Sequence, residues 1–190
     1  GLPFAPSAGY LGVDVFFVVS GYLITGIISR GIARGNFSFK AFYFRRAKRP
    51  LPAAYLTFLG TAFAATLFLT QSEFHVFVVQ LVGAVTFTGN VVLWRQTGYF
   101  EGAAELKPLL HVWSLAIEEQ CYLLLPATLV LVPVRFWRAG AWAVVALSLG
   151  LGLAYGRVDP SATFSLLPTR AWELGIGSLG VLALEGRADG

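Results

Sequence analysis

The chain contains no methionine, one cysteine and two histidines among its 190 residues. A single cysteine excludes an internal disulfide framework, and without a CxxC pair or Cys/His cluster no metal site is expected. Cys121 lies in an apolar run, where a thiol behaves as a small hydrophobe. Charge is scarce as well, at 13% of residues against about 25% in an ordinary soluble domain. No nucleic-acid partner is expected. Segments of about ten residues with strict alternation are missing, which disfavours a membrane barrel. No charged leader or cleavage site precedes the first apolar block, so that block reads as a span rather than a signal peptide. Long linkers, low-complexity tracts and repeats of 20–50 residues are absent too. With Gly1 first and no methionine, a natural start upstream is expected, and a continuation beyond "LEGRADG" is expected likewise.

What the chain does have is apolar mass: 56% hydrophobic residues and a mean hydropathy of +0.69. A membrane helix needs about 20 predominantly apolar residues. Six stretches meet this: 10–29, 51–70, 74–94, 111–132, 139–156 and 164–184. The fold class expected is therefore all-α, a polytopic transmembrane helix bundle. Arg30, Arg34, Lys40, Arg45, Arg46, Lys48 and Arg49 follow the first span with no acid among them, half of the chain's 14 Lys and Arg. This places the 30–49 segment in the cytoplasm by the positive-inside rule. Strict alternation then puts 95–110 inside and 133–140 outside, where Arg135 and Arg138 contradict the same rule. A re-entrant 74–94, or a re-entrant start of 111–132, would relieve the conflict. The sequon-like Asn36-Phe37-Ser38 falls on the cytoplasmic side, where it would not be glycosylated.

Four stretches carry chemistry. In "GVDVFFVVSGYL", Asp14 sits inside an apolar helix, which costs about 2.5–3.5 kcal/mol at a span's centre and less near its end. It shares a face with Val18, Gly21 and Thr25, so it must look into the bundle, toward water or a cation such as Arg170. In "FYFRRAKRP", Arg46 and Arg49 are three apart, on one face if helical, with Arg45 adjoining. The plain reading of this segment is topology and lipid headgroups; the sharper one is an anion site gripped bidentately by guanidinium. In "LLHVWSLAIEEQCYLLLP", His111, Ser114, Glu118 and Tyr122 fall on one helical stripe, with Glu119 about 100° further round. Two adjacent carboxylates in low dielectric do not both ionise cheaply. The plain alternative is a polar network that packs helices, with Trp113 as an interfacial anchor. In "PTRAWELGIGSLG", Arg170 and Glu173 could pair with each other, with Asp14 or with the Glu118/Glu119 pair. Gly175, Gly177 and Gly180 spell GxGxxG, but no strand precedes them, and close helix packing explains them better than a dinucleotide.

These stretches, in this order, resemble the type-3 membrane acyltransferases, integral-membrane O-acyltransferases of bacterial surface glycans. The matching blocks are "GYLGVDVFFVVSGYLITGII" (9–28), "FYFRRAKRPLPA" (42–53), "GYFEGAAELKPLLHVWSLAIEEQCYLLLP" (98–126) and "TRAWELGIG" (169–177). The resemblance implies one domain of about ten helices, of which residues 1–190 are a part, in the bacterial inner membrane. It implies an acyl-CoA donor, usually acetyl-CoA, at the cytoplasmic side, an acceptor hydroxyl on a cell-envelope sugar, and no permanently bound cofactor. The branch it resembles most can carry an SGNH-hydrolase-like domain after the membrane domain. The family's RxxR maps to Arg46 and Arg49, the aspartate of GVDxFF to Asp14, and the acids of WSLxxEEQ to Glu118 and Glu119. Its key histidine, accompanied by an arginine, belongs to a helix just before "GLPFAPSAGYLGVD", and neither His75 nor His111 is that residue. This chain alone is therefore expected to be an inactive fragment. Pro50, Lys107 and Cys121 stand where the family commonly has an aliphatic residue, asparagine and an aromatic.

The candidates are Asp14, Glu118, Glu119 and His111 for catalysis, and Arg45, Arg46 and Arg49 for the donor. Ser114, Tyr122, Arg170 and Glu173 form the supporting polar network. The expected activity is O-acyl transfer from acyl-CoA to a glycan hydroxyl, with the acceptor open among the O-antigen of lipopolysaccharide, peptidoglycan, exopolysaccharide and small glycosides. The acids and Arg170 are expected to converge on one wet chamber. The rival is a secondary transporter whose buried acids relay protons or bind an ion, and a scaffold without chemistry is the plainest third reading.

Overall fold

A computed structural model of the chain describes residues 5–97 and 108–188, with side chains over 11–96 and 108–185. The described residues form nine α-helices and no strand: α1 (Ala5–Ala33), α2 (Phe39–Ala47), α3 (Leu51–Phe68), α4 (Gln71–Val85), α5 (Gly89–Thr97), α6 (Val112–Leu131), α7 (Trp137–Tyr155), α8 (Pro160–Ser165) and α9 (Leu167–Ala188). Local chemistry sets many of the ends. After α1, Asn36 N–H donates to the Gly31 carbonyl at 3.0 Å and Gly35 N–H to Ile32 at 2.9 Å, a Schellman closure that needs the positive φ of Gly35. Ser38 caps α2, accepting from the Ala41 N–H at 3.4 Å. At the start of α4, the Thr70 backbone N–H and hydroxyl both donate to the Glu73 carboxylate, at 2.8 and 2.7 Å.

Among the described residues four helices are long and apolar enough to cross a membrane: Leu11–Ala33, Leu51–Phe68, Val112–Leu131 and Val134–Tyr155, the last including a 3₁₀ turn at Val134–Phe136. The protein is thus a multi-pass helical membrane protein, with two of the six expected spans altered. The expected span 74–94 is two helices. At 1.5 Å per residue α4 reaches about 22 Å and α5 about 14 Å, each short of the roughly 30 Å hydrocarbon core. The break is a second closure of the same kind: Thr88 N–H donates to Gly83 at 2.8 Å and Phe87 N–H to Ala84 at 3.2 Å, with Phe87 at φ 54°. The expected span 164–184 loses its beginning to α8, capped by the Asp159 carboxylate accepting from Ala162 N–H at 2.9 Å, and restarts at Leu167.

The chain divides into two compact units, Gly1–Phe37 with Cys121–Gly190, and Ser38–Gln120. In the first, α1 lies along α9 and α9 along α7. Gly21 backs onto the Leu174 carbonyl, Gly177 onto the Val18 carbonyl, and Gly175 onto the Val145 side chain, so a Cβ at any of the three would collide. The GxGxxG glycines therefore include two whose role is close helix packing. Contacts between α1 and α9 rise together in number, from Asp14–Arg170 through Thr25–Ser178 to Ser29–Glu185, so these helices run parallel. Between α7 and α9 they run oppositely, Ser148 meeting Trp172 and Gly152 meeting Thr169, so that pair is antiparallel.

One consequence bears on the topology that the sequence left open. The C-terminal end of α1, with Arg30 and Arg34, and the N-terminal end of α7, preceded by Arg135, lie at the same end of this unit. The rule that places the first group in the cytoplasm now places Arg135 and Arg138 there too. The outside assignment of 133–140 rested on 74–94 being one crossing helix, which it is not. In the second unit, α3 packs on α4 and α4 on α5, around Phe58, Ala65, Phe77, Ala84 and Leu109.

Candidate functional site

The first unit holds a three-residue ion cluster. Arg170, in the first turn of α9, donates from one terminal nitrogen to Asp14 Oδ1 at 2.7 Å and to Glu173 Oε1 at 2.8 Å. Its Nε donates to the Phe164 carbonyl at 2.8 Å, and the guanidinium lies 4.9 Å from the centre of the Phe164 ring. The i, i+3 spacing puts Glu173 on the same face of α9, and the parallel pairing of α1 with α9 brings Asp14 alongside. Arg170 and Glu173 are buried, while the Asp14 side chain keeps 35% of its surface exposed. One cation thus bridges two acids, only one of which reaches open space. Of the pairings open to Arg170 and Glu173, the mutual one and the one between Arg170 and Asp14 are both made. Glu173 Oε2 is buried without a hydrogen-bond partner.

The second unit holds the other cluster. Arg46, near the end of α2, stands 3.6 Å from Glu118 Oε1 on α6. Burial lowers the pKa of its guanidinium while the Glu118 and Glu119 carboxylates raise it, and arginine remains charged throughout the ordinary pH range. Glu118 is buried, and Glu119 Oε1 is a buried acceptor with no partner. Arg49 stays tied to Arg46 by a single turn, its N–H donating to the Arg46 carbonyl at 3.2 Å, although α2 itself has ended. Proline disfavours α geometry in the residue before it; Arg49 precedes Pro50, α2 stops at Ala47, and Arg49 lies exposed in the turn that follows. Arg45 is exposed as well.

The stripe His111–Ser114–Glu118–Tyr122 also divides. His111 lies in the turn that Pro108 opens, ahead of the first residue of α6, and is exposed; its carbonyl accepts from the Ser114 hydroxyl at 3.2 Å. Tyr122 is buried and donates to Ser20 Oγ at 3.3 Å. Trp113, expected as an interfacial anchor, is buried at 7% exposure.

Sequence reasoning passed over a set of amides in the second unit. Gln80 Nε2 donates to Gln96 Oε1 at 2.9 Å, and Gln120 Nε2 donates to both the Phe87 carbonyl and Asn90 Oδ1 at 2.9 Å. Gln80 and Asn90 are almost wholly buried, and Gln80 Oε1 has no partner. Their signal was present: two amides inside the apolar 74–94 block, where an unpaired polar group is costly. The contacts of Ser29 and Arg30 with Glu185, at the far end of α9, went unread likewise. Glu119 Oε1, Gln80 Oε1 and Glu173 Oε2 are all acceptors, so each can take a hydrogen bond from a hydroxyl or water.

Comparison with known proteins places these residues in context. The family described as "Acyltransferase domain" matches residues 2–179. A Haemophilus influenzae protein with no described function is 38% identical over 137 residues, covering 72% of this chain and 56% of its own length. A Bacillus subtilis protein provisionally named peptidoglycan O-acetyltransferase YrhL is 34% identical over 180 residues, covering 90% of this chain and 28% of its own. A Staphylococcus aureus protein provisionally named an O-acetyltransferase is 38% identical over 152 residues, 76% of this chain and 25% of its own. The chain thus spans between a quarter and just over half the length of these relatives. No solved structure matches it.

Proposed function

This chain belongs to the type-3 acyltransferase family, and on that premise we propose that it is the part of a membrane O-acyltransferase that moves an acyl group from acyl-CoA to a hydroxyl of a cell-envelope glycan. The observation that carries the reading is the family match over residues 2–179, which takes in Asp14, Arg46, Glu118, Glu119 and Arg170. In the reaction the acceptor oxygen attacks the thioester carbonyl, the new C–O bond replaces the C–S bond, and the hydroxyl proton leaves with CoA as its thiol. The histidine that the resemblance puts upstream of Gly1 is the proposed base.

The residues of this chain divide the remaining work. Arg45 and Arg49, exposed on the basic segment, offer guanidinium groups to the CoA phosphates. Arg46, turned toward Glu118, ties that segment to the acid pair. Glu119 Oε1 offers an acceptor to the incoming hydroxyl. Asp14, held by Arg170 and half open, is a positioning carboxylate of the kind that orients a histidine base. Acyl-CoA is a substrate in this scheme rather than a resident cofactor. The cytoplasmic membrane is the proposed location, and the greater length of the relatives leaves room for a fused SGNH-like domain.

The test uses the intact parent protein in membranes supplied with radiolabelled acetyl-CoA. Label should reach a surface glycan, and Arg46→Ala or Glu118→Ala should lower that transfer at least tenfold. Should no glycan be labelled while the same substitutions abolish proton-coupled uptake, the protein is a transporter instead.

A further inference from the structure

Within the unit formed by Gly1–Phe37 and Cys121–Gly190, a cavity of about 210 Å³ lies between α6, α7 and α9. Leu125, Leu129, Phe136, Val144, Leu174 and Leu182 are among the residues that wall it. The hydroxyls that line it are already engaged: Thr128 donates to the Leu125 carbonyl at 2.8 Å, and Ser178 bonds to Thr25 and to the Leu174 carbonyl at 2.7 and 3.0 Å. Nothing polar is left over to greet a sugar or a nucleotide. Apolar cavities of about 150 Å³ already take up benzene, so this one accepts hydrocarbon. Two of its three walls, α6 and α7, are membrane-crossing helices, and the hydrocarbon around them is lipid.

Two cations neighbour lining residues in sequence, Arg135 before Phe136 and Arg138 after Trp137. The Arg135 guanidinium lies 4.7 Å from the centre of the Phe136 ring, and Phe136 lines the cavity. Arg138 follows on the first turn of α7 and is exposed. Among the described residues neither arginine has a carboxylate within ion-pair distance. An exposed cation–π contact, at roughly 0.5–1 kcal/mol, leaves the guanidinium's charge and donors available. Both arginines belong to the end of the unit assigned to the cytoplasm, where basic pockets between spanning helices bind acidic headgroups.

We propose that this cavity binds one anionic phospholipid of the bilayer, with an acyl chain between α6, α7 and α9 and its phosphate on Arg135 and Arg138. The chain then abuts Ala171 and Leu174, the turn of α9 that also carries Arg170 and Glu173. The bound lipid braces the helix that positions Asp14.

Native mass spectrometry of the intact chain, exchanged into micelles containing equal phosphatidylglycerol and phosphatidylcholine, tests this. One phosphatidylglycerol should be retained at least tenfold over phosphatidylcholine. Gly140→Leu fills the cavity from a position where a Cβ meets nothing within 4 Å, and in a helix leucine outperforms glycine. This variant should lose the retained lipid while keeping its unfolding temperature. The double substitution Arg135→Gln with Arg138→Gln should abolish the preference for phosphatidylglycerol. Equal retention by Gly140→Leu, or equal retention of the two lipids by the unaltered chain, overturns the proposal. Displacement of phosphatidylglycerol by an equimolar polyprenyl phosphate overturns it as well, by assigning the cavity to the carrier of a lipid-linked sugar.

Discussion

Arg170 is the side chain on which the first ion cluster depends. Removing one member of a buried ion pair leaves the other charge uncompensated, which costs about 3–5 kcal/mol. Arg170→Leu strands both Asp14 and Glu173, and denaturant unfolding in micelles should show a loss of that order. Adding Asp14→Asn to Arg170→Leu should cost less than the sum of the single changes, because the acid that Arg170 balanced has gone. This pair was foreshadowed by the sequence, since an aspartate in an apolar helix demands a cation and Arg170 is itself embedded in apolar surroundings. The Arg46–Glu118 pair was not. Nothing in spacing relates residues 72 positions apart. His111 was misplaced because its stripe was extended past the real start of α6.

At the level of elements, backbone contact between α1 and α9 makes a sharp prediction. Gly177 faces the Val18 carbonyl, so Gly177→Leu should destabilise by about 1–3 kcal/mol or more. Gly60→Ala on α3, where a Cβ meets nothing within 4 Å, should instead stabilise by about 0.5–1 kcal/mol. Thermal unfolding of the two variants side by side checks both. The cap of α4 predicts a pH dependence. Hydrogen bonds from the Thr70 hydroxyl and backbone hold the Glu73 carboxyl below the ordinary glutamate range. Its folded pKa lies below its unfolded one, so the stabilisation is complete above the unfolded value, about 4.3. It is then lost as pH falls through the folded value. Comparing unfolding of the native chain with Glu73→Gln from pH 7 to pH 2 should show a constant gap that closes only at the acid end. The 74–94 block read as a single helix because hydropathy averages over its apolar residues and does not register a three-residue turn. The structure of that turn rests on Phe87 in a left-handed conformation, an arrangement that no residue-type preference announces.

For the whole molecule, the testable statement is sidedness. In a Cys121→Ser background, a single cysteine at position 135 should react with a membrane-impermeant maleimide only after the cytoplasmic face is opened. Reaction in intact cells would restore the outside assignment. The membrane class and the first, second, fourth and fifth spans were legible from apolar runs of about the right length. The pairing of α1 with α9 was not, because small residues license a close approach without naming the partner.

That pairing sets an order of events during synthesis. Asp14 and Arg170 are 156 residues apart, and a ribosome adding about 5–20 residues per second takes roughly 8 to 31 seconds to cover that distance. For that interval the first helix has an aspartate in or near lipid without Arg170, and its glycine notch is empty. A chain interrupted before α9 lacks both partners and should be degraded faster in membranes than the uninterrupted one, as a pulse-chase would show.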